Sequence, residues 1–124
     1  MLIFIYIIYL KWNFDRTKVY VGRTSGQVSQ MSVSEIGKVL RKRDSNHAMN
    51  DTNFLPAEIR HVSTNADAVR GQEQVLIEKY KKLEISANKI NGISPRNPKK
   101  WIYLSAALET FGECLALFLT FILQ

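Results

Sequence analysis

The chain opens on nine residues, Leu2 to Leu10, that are apolar at every position apart from two tyrosine hydroxyls, and this run is rich in Ile and Tyr. Such a continuous run predicts a strand buried on both faces. Asn13-Phe14-Asp15-Arg16 is a polar break, and Thr17 to Gly22 is again β-like, so the two runs read as a hairpin with a rather long loop. Thr24 to Ser32 is mostly polar and reads as irregular. Ser34 opens a short helix over Glu35 to Arg43. Phe54 to Val62 is a weaker strand, and Pro56 near its start places it at a sheet edge. Thr64 or Asn65 can cap a helix over Ala66 to Lys82, with Asp67 in its first turn. Asn88 to Lys100 is a loop, and Asn97-Pro98 signals a last helix that runs to about Thr110. The order predicts a small mixed α/β (α+β) domain, a three-stranded sheet packed against helices.

Two polar residues interrupt the apolar stripes. Ile36, Val39 and Leu40 form the inward face of the first helix, and helical spacing carries that face on to Arg43 and then His47. Arg43 either snorkels past the helix end or is aimed inward for a function. On the next helix Glu73 stands between Val69, Leu76 and Tyr80, where an ionised carboxylate needs a cation, a metal or strong hydrogen bonds. A structural salt bridge, to Arg43 itself for instance, would satisfy it equally well.

Charge and cysteine content narrow the chemistry. The 124 residues make one domain with a formal net charge of +6, which invites an anionic partner such as nucleic acid or a membrane surface. From Arg16 to Arg43 seven basic residues face one acid, Glu35, and a second basic cluster comprises Lys89, Arg96, Lys99 and Lys100. A solvated basic face would look the same. The single cysteine, Cys114, excludes an internal disulfide and a Cys-rich zinc site, and reads as a small buried hydrophobe. With only His47 and His61, a metal would have to be held by carboxylate and water, which suits Mg²⁺ or Mn²⁺. The first ten residues lack a basic n-region and a small-x-small cleavage site, and are too short to span a bilayer, which takes about 20 helical residues. The apolar C-terminal run contains Glu109 and Glu113, so a membrane-inserted tail is disfavoured.

A base for water, a cation for the phosphate and an acidic metal ligand are what phosphodiester cleavage requires. Tyr20, Arg43 and Glu73 could supply them. At this point the chain resembles the GIY-YIG nuclease superfamily, and most closely the GIY-YIG-like toxin domains of bacterial polymorphic toxins. Tyr20-Val21-Gly22, preceded by Lys18-Val19, looks like the second signature element. Eleven residues earlier Tyr9, in Ile7-Ile8-Tyr9, stands where the family has Gly-Ile-Tyr, with Ile7 in place of the Gly. Arg43 and His47, four apart, resemble the Arg and the following His or Tyr of the family's first helix, and Glu73 in Gln72-Glu73-Gln74 resembles its metal-binding Glu. Because the segment after Gly22 is longer than in the family, Arg41 competes with Arg43, and the helix stripe favours Arg43. The run NKINGISPRNPKKWIYLSAA, after RGQEQVLIEKY, is similar to the toxin domains. Ser94 falls where the family has its late asparagine, so Asn91 or Asn97 would take that part.

The resemblance covers Ile3 to Ala107 and implies a nuclease domain over residues 1–107, followed by an apolar helical tail, 108–124, of unassigned role. It implies a metal-dependent endonuclease with Tyr20 as general base and Arg23 stabilising the phenolate. Tyr9 and His47 would place the water, Arg43 would meet the phosphate, and Glu73 would hold one Mg²⁺ or Mn²⁺. No small-molecule cofactor is expected. Lys89, Asn91, Arg96, Asn97, Lys99 and Lys100 would hold the backbone of nucleic acid, double-stranded DNA being favoured, with little sequence specificity. A toxin effector of this kind would act in the cytoplasm after secretion and be neutralised by an immunity protein. The alternative is a catalytically inactive nucleic-acid-binding module of the same fold, and a third reading is a small membrane-associated protein.

Overall fold

The computed structural model describes residues 1–112 of the chain. Its elements are β1 (Ile3–Trp12), β2 (Val19–Val28), α1 (Val33–Asp44), a 3₁₀ turn (Ala48–Thr52), β3 (Glu58–Ser63), α2 (Ala66–Lys82) and α3 (Lys100–Phe111). They form the expected mixed α+β fold, a three-stranded antiparallel sheet in the order β2-β1-β3 with helices packed against it. The all-apolar β1 is central, and the weaker β3 is an edge strand. Among the described residues no helix is long and apolar enough to cross a membrane.

Side-chain alternation sends β1 to two cores. Ile5, Ile7 and Tyr9 pack with Val28 of β2 and Leu40 of α1. Ile8 and Leu10 pack with Val19 and Val21 of β2 and with Val69, Leu76 and Ile77 of α2. From Ile7 to Leu10 the strand is buried on both faces, which needs apolar residues at every position, whereas Leu2 and Phe4 at its start are exposed.

Several boundaries differ from the sequence expectation. β2 does not end at Gly22 but runs to Val28, pairing Thr24 with Ile7 and Val28 with Ile3. Its polar residues Arg23, Ser25 and Gln27 are exposed and alternate with more sheltered Thr24, Gly26 and buried Val28, as an edge strand allows. The cap of α1 is Ser32, not Ser34: its side chain accepts from the Glu35 N–H, and Glu35 accepts from the backbone N–H groups of Ser29 and Gln30. That arrangement resembles a capping box shifted upstream, and such a cap is worth about 1 kcal/mol. Before β3, Phe54 forms only an isolated bridge to Asn13, and Pro56, which cannot donate to a ladder, keeps the strand from starting earlier. α2 has the predicted bounds, with Asn65 as its cap.

α3 starts at Lys100 rather than beside Pro98, because the Asn97 side chain accepts from the Lys99 N–H and forms a turn ahead of the helix. It packs closely on α2, where a Cβ on Gly71 would lie 1.9 Å from the Tyr103 carbonyl oxygen. The helix continues to Phe111, across the expected boundary at residue 107. Cys114 and the remainder of the expected tail lie outside the described residues.

Candidate active site

The outer edge of β2 is only partly covered. Val19 donates its N–H to Ile85 and accepts from Ala87, so residues 85–87 act as a short added strand. One rung further, the Asn88 side chain replaces that strand: its Oδ1 accepts the Val21 N–H at 2.9 Å and its Nδ2 donates to the Val21 carbonyl at 2.9 Å. Beyond Asn88 the chain leaves the sheet edge, and a cleft of about 430 Å³ opens there.

The cleft wraps around the β2 edge. From the α1 side it is lined by Tyr9, Tyr20 and Arg43, and from the α2 side by Val21, Arg23, Glu73 and Ile77. Asn88, Ile90, Asn91 and Gly92 close one end. Five of the six residues expected to be catalytic therefore line one cavity although they belong to four elements.

The sixth, His47, packs edge-on against both tyrosines, 5.8 Å from the Tyr9 ring centroid and 5.0 Å from that of Tyr20. It lies beyond the end of α1 and caps the 3₁₀ turn, its Nδ1 accepting from the Met49 N–H at 3.1 Å. An accepting Nδ1 puts the proton of the neutral ring on Nε2. Burial first, then Arg43 and Lys11, lower the imidazole pKa, so the neutral ring is the form favoured here. Both the His47 Nε2 and the Tyr9 hydroxyl are buried without a hydrogen-bond partner among the described residues. These two unpartnered groups belong to rings that pack edge to face beside Tyr20, and a small oxygen-bearing group there would satisfy them.

Tyr9 is nearly fully buried, and its phenol is pushed up mainly by that burial. Tyr20 is less enclosed. Burial and then the Glu73 carboxylate raise its pKa, while Arg43 lowers it. The guanidinium that favours a Tyr20 phenolate is thus Arg43. Arg23, expected in that part, donates from Nε to Glu73 Oε1 at 3.1 Å. The partner of Glu73 is thus Arg23 and not Arg43: β2 alternation sends Tyr20 to the α1 face and Arg23 to the α2 face, where Glu73 stands. Between the two candidate arginines of α1, Arg43 is the half-buried one that lines the cleft. Arg41 is exposed and lies back along its own helix, 3.0 Å from where a Cβ on Gly37 would be.

Glu73 is 7% exposed. Burial raises its pKa against the opposing pull of Arg23 and Arg70. The loop backbone crosses directly over it, since a Cβ on Gly92 would fall 2.4 Å from Oε1. Among the described residues no group of three His, Cys, Asp or Glu side chains could enclose a metal. A single buried carboxylate at the wall of an open, polar cleft nevertheless fits a hard cation that keeps most of its water and takes phosphate oxygens as ligands.

The expected nucleic-acid-binding loop is dispersed. Asn91 lines the cleft and accepts from Lys81 Nζ at 2.6 Å. Asn97 is engaged with the Lys99 backbone. Lys89, Arg96 and Lys99 are exposed and do not line the cleft. Lys100 lies over Trp101, 5.2 Å from the ring centroid, and faces a separate hollow shared with Glu78.

Two features had not been foreseen. Asn88 had been noted only as part of its loop. Lys11 is fully buried at the end of the stripe Ile5-Ile7-Tyr9 and pairs with Asp44, whose Oδ2 also accepts the Ala57 N–H at 3.0 Å. A lysine at an inward position of β1 was a readable signal, but its partner, 33 residues away, was not. The pair anchors the end of α1 from which Arg43 and His47 project.

Comparison with protein-family models, with curated proteins and with solved structures gave no match.

Proposed function

We propose that this protein is a metal-dependent endonuclease of the GIY-YIG type that hydrolyses phosphodiester bonds in nucleic acid, double-stranded DNA being the favoured substrate. The observation that carries this reading is the convergence of Tyr9, Tyr20, Arg23, Arg43 and Glu73 on one cleft, with His47 packed on both tyrosines.

Tyr20, once ionised to its phenolate, accepts the proton of an attacking water as that water bonds to phosphorus and the bond to the leaving oxygen breaks. The leaving oxygen is protonated from solvent. Arg43 performs two tasks from one position: it favours the Tyr20 phenolate and meets the charge that grows on the non-bridging phosphate oxygens. The Tyr9 hydroxyl and the His47 Nε2–H supply the niche that orients water or phosphate. Glu73 would hold one Mg²⁺ or Mn²⁺, which when bound neutralises charge on the scissile phosphate. Arg23 holds the Glu73 carboxylate toward the cleft. On this reading the protein is a toxin effector that acts in the cytoplasm and is restrained by an immunity protein.

One observation favours a second reading, a nucleic-acid-binding module without catalysis. Glu73 is already paired with Arg23, and both Tyr20 and Glu73 are shifted toward their neutral forms. Incubation of supercoiled plasmid and of RNA with the purified protein, in Mg²⁺ and in EDTA, separates the two. A nuclease cleaves in Mg²⁺ alone; a folded protein that binds but never cleaves is the module.

A further inference from the structure

A second concavity lies beside the cleft. It is a groove of about 500 Å³ between α1 and the outer half of β2, lined by Thr24–Gln27, Lys38, Val39, Lys42, Arg43 and Asn46. We infer that this groove is the path along which the sugar–phosphate backbone of the substrate strand reaches the cleft, held by Lys38, Lys42 and Arg43. The inference rests on the nuclease reading and gives it a substrate track different from the loop of residues 88–100.

Three observations support it. The first is continuity: Arg43 lines both the groove and the cleft, so one guanidinium faces the two concavities. Lys38 and Lys42, one helical turn apart, extend the row of cations about 6 Å along α1.

The second is an excess of cations. Among the described residues no carboxylate lines the groove. Glu35, the acid of the first turn of α1, feels the charge of Lys38 but is hydrogen-bonded to Ser29 and Gln30, and the ion pairs Lys11–Asp44 and Arg23–Glu73 lie elsewhere. In the loop, by contrast, Lys100 shares its hollow with Glu78. A polyanion is drawn to the row whose walls carry cations and no acid.

The third is shape. A Cβ on Gly26 would lie 2.8 Å from Val39 Cγ1, so the glycine lets α1 settle onto β2 and sets the floor between the two walls. Thr24, Ser25, Gln27 and Asn46 add neutral hydrogen-bonding groups, the kind that fix a phosphate backbone without reading bases.

The test is fluorescence anisotropy with a labelled DNA duplex of about two helical turns, measured in EDTA over a series of salt concentrations. Lys38→Gln/Lys42→Gln should weaken binding about tenfold and reduce the slope of log affinity against log salt by about 2. Both lysines are exposed, and circular dichroism checks the fold. Arg41→Gln/Lys82→Gln removes the same charge from exposed positions outside the groove and should leave the slope within about 0.5 of the wild type. Equal losses in the two double variants, or no loss in the first, would overturn the groove assignment while leaving the cleft reading intact. A wild type that binds no nucleic acid would overturn both. Salt-sensitive binding through Lys38 and Lys42 without any Mg²⁺-dependent cleavage would support the track and sink only the catalytic reading.

Discussion

Gly22 stands directly across the β1–β2 ladder from Tyr9, and the Tyr9 ring covers it so closely that a Cβ there would lie 2.3 Å from Cζ and 2.4 Å from the hydroxyl. The glycine two residues after Tyr20 is therefore not present for turn chemistry: it sits inside a regular strand pair. It leaves room for the second tyrosine of the cleft. Gly92 has the matching part on the other wall, where it lets the loop backbone pass over Glu73.

Gly22→Ala should for that reason displace Tyr9 without breaking the sheet. Overpacking of this kind costs about 1–3 kcal/mol. Urea unfolding should show a loss in that range, and nuclease activity should fall far more than stability does. Retained activity in a folded Gly22→Ala protein would mean that the position of Tyr9 does not matter to the chemistry.

Glu73 is expected to trade stability for function. Its folded pKa is raised, so the ionised form is disfavoured in the folded protein. The penalty is absent below the unfolded carboxylate value of about 4.3, grows as pH rises from there toward the folded value, and is complete above it. Glu73→Gln keeps an acceptor for Arg23 and removes the buried charge. At neutral pH its thermal midpoint should equal or exceed that of the wild type. Metal-dependent cleavage should fall about a hundredfold or more, because charge neutralisation by a metal is worth several kcal/mol in the transition state. A marked drop in midpoint would identify Glu73 instead as a structural ion-pair residue.

The Lys11–Asp44 pair makes the opposite pH prediction. Burial works against the Asp44 carboxylate, but the Lys11 ammonium and the Ala57 N–H outweigh it, and its folded pKa is lowered. Its stabilising contribution is therefore complete above the unfolded value of about 3.9 and disappears as pH falls through the lower folded value. Asp44→Asn leaves Lys11 buried without its anion and should cost about 2–4 kcal/mol at pH 7, a little below the range for fully buried pairs because Asp44 keeps 16% of its side-chain surface exposed. Urea midpoints of the two proteins should converge as pH falls below about 4. A gap that persists in acid would assign the loss to packing rather than to charge.

How far the sequence could be read follows from where each signal lies. Residues within one element were legible: the unbroken apolar run of β1, the bounds of α2, and the inward Arg43 and Glu73 all follow from periodicity along a single strand or helix. What could not be read depends on pairing between elements. The polar stretch Thr24–Gln27 looks irregular until β1 supplies its hydrogen bonds. Ser32 outcompetes Ser34 as the cap because Glu35 can fold back on Ser29 and Gln30 from that position alone. That Arg23 and not Arg43 meets Glu73 follows from the face to which β2 turns Arg23, which is a matter of pairing and not of spacing. Asn88 gave no local sign that its side chain stands in for a backbone rung. The basic loop reads as one cluster in sequence, but where each cation points and which acid folds beside it, as Glu78 does beside Lys100, depends on the fold.

On the proposed mechanism Tyr20, a residue of β2, is the general base and does more than wall a binding cleft. That role is tested most directly by the rate of Mg²⁺-dependent plasmid cleavage for wild type and Tyr20→Phe, with circular dichroism confirming equal folding. Loss of general-base catalysis costs about 10²–10⁴-fold. A loss in that range, with oligonucleotide binding unchanged, is the predicted result. Equal rates in the two proteins, or no cleavage of DNA or RNA by the folded wild type, would contradict the assignment and leave Tyr20 as part of the cleft wall.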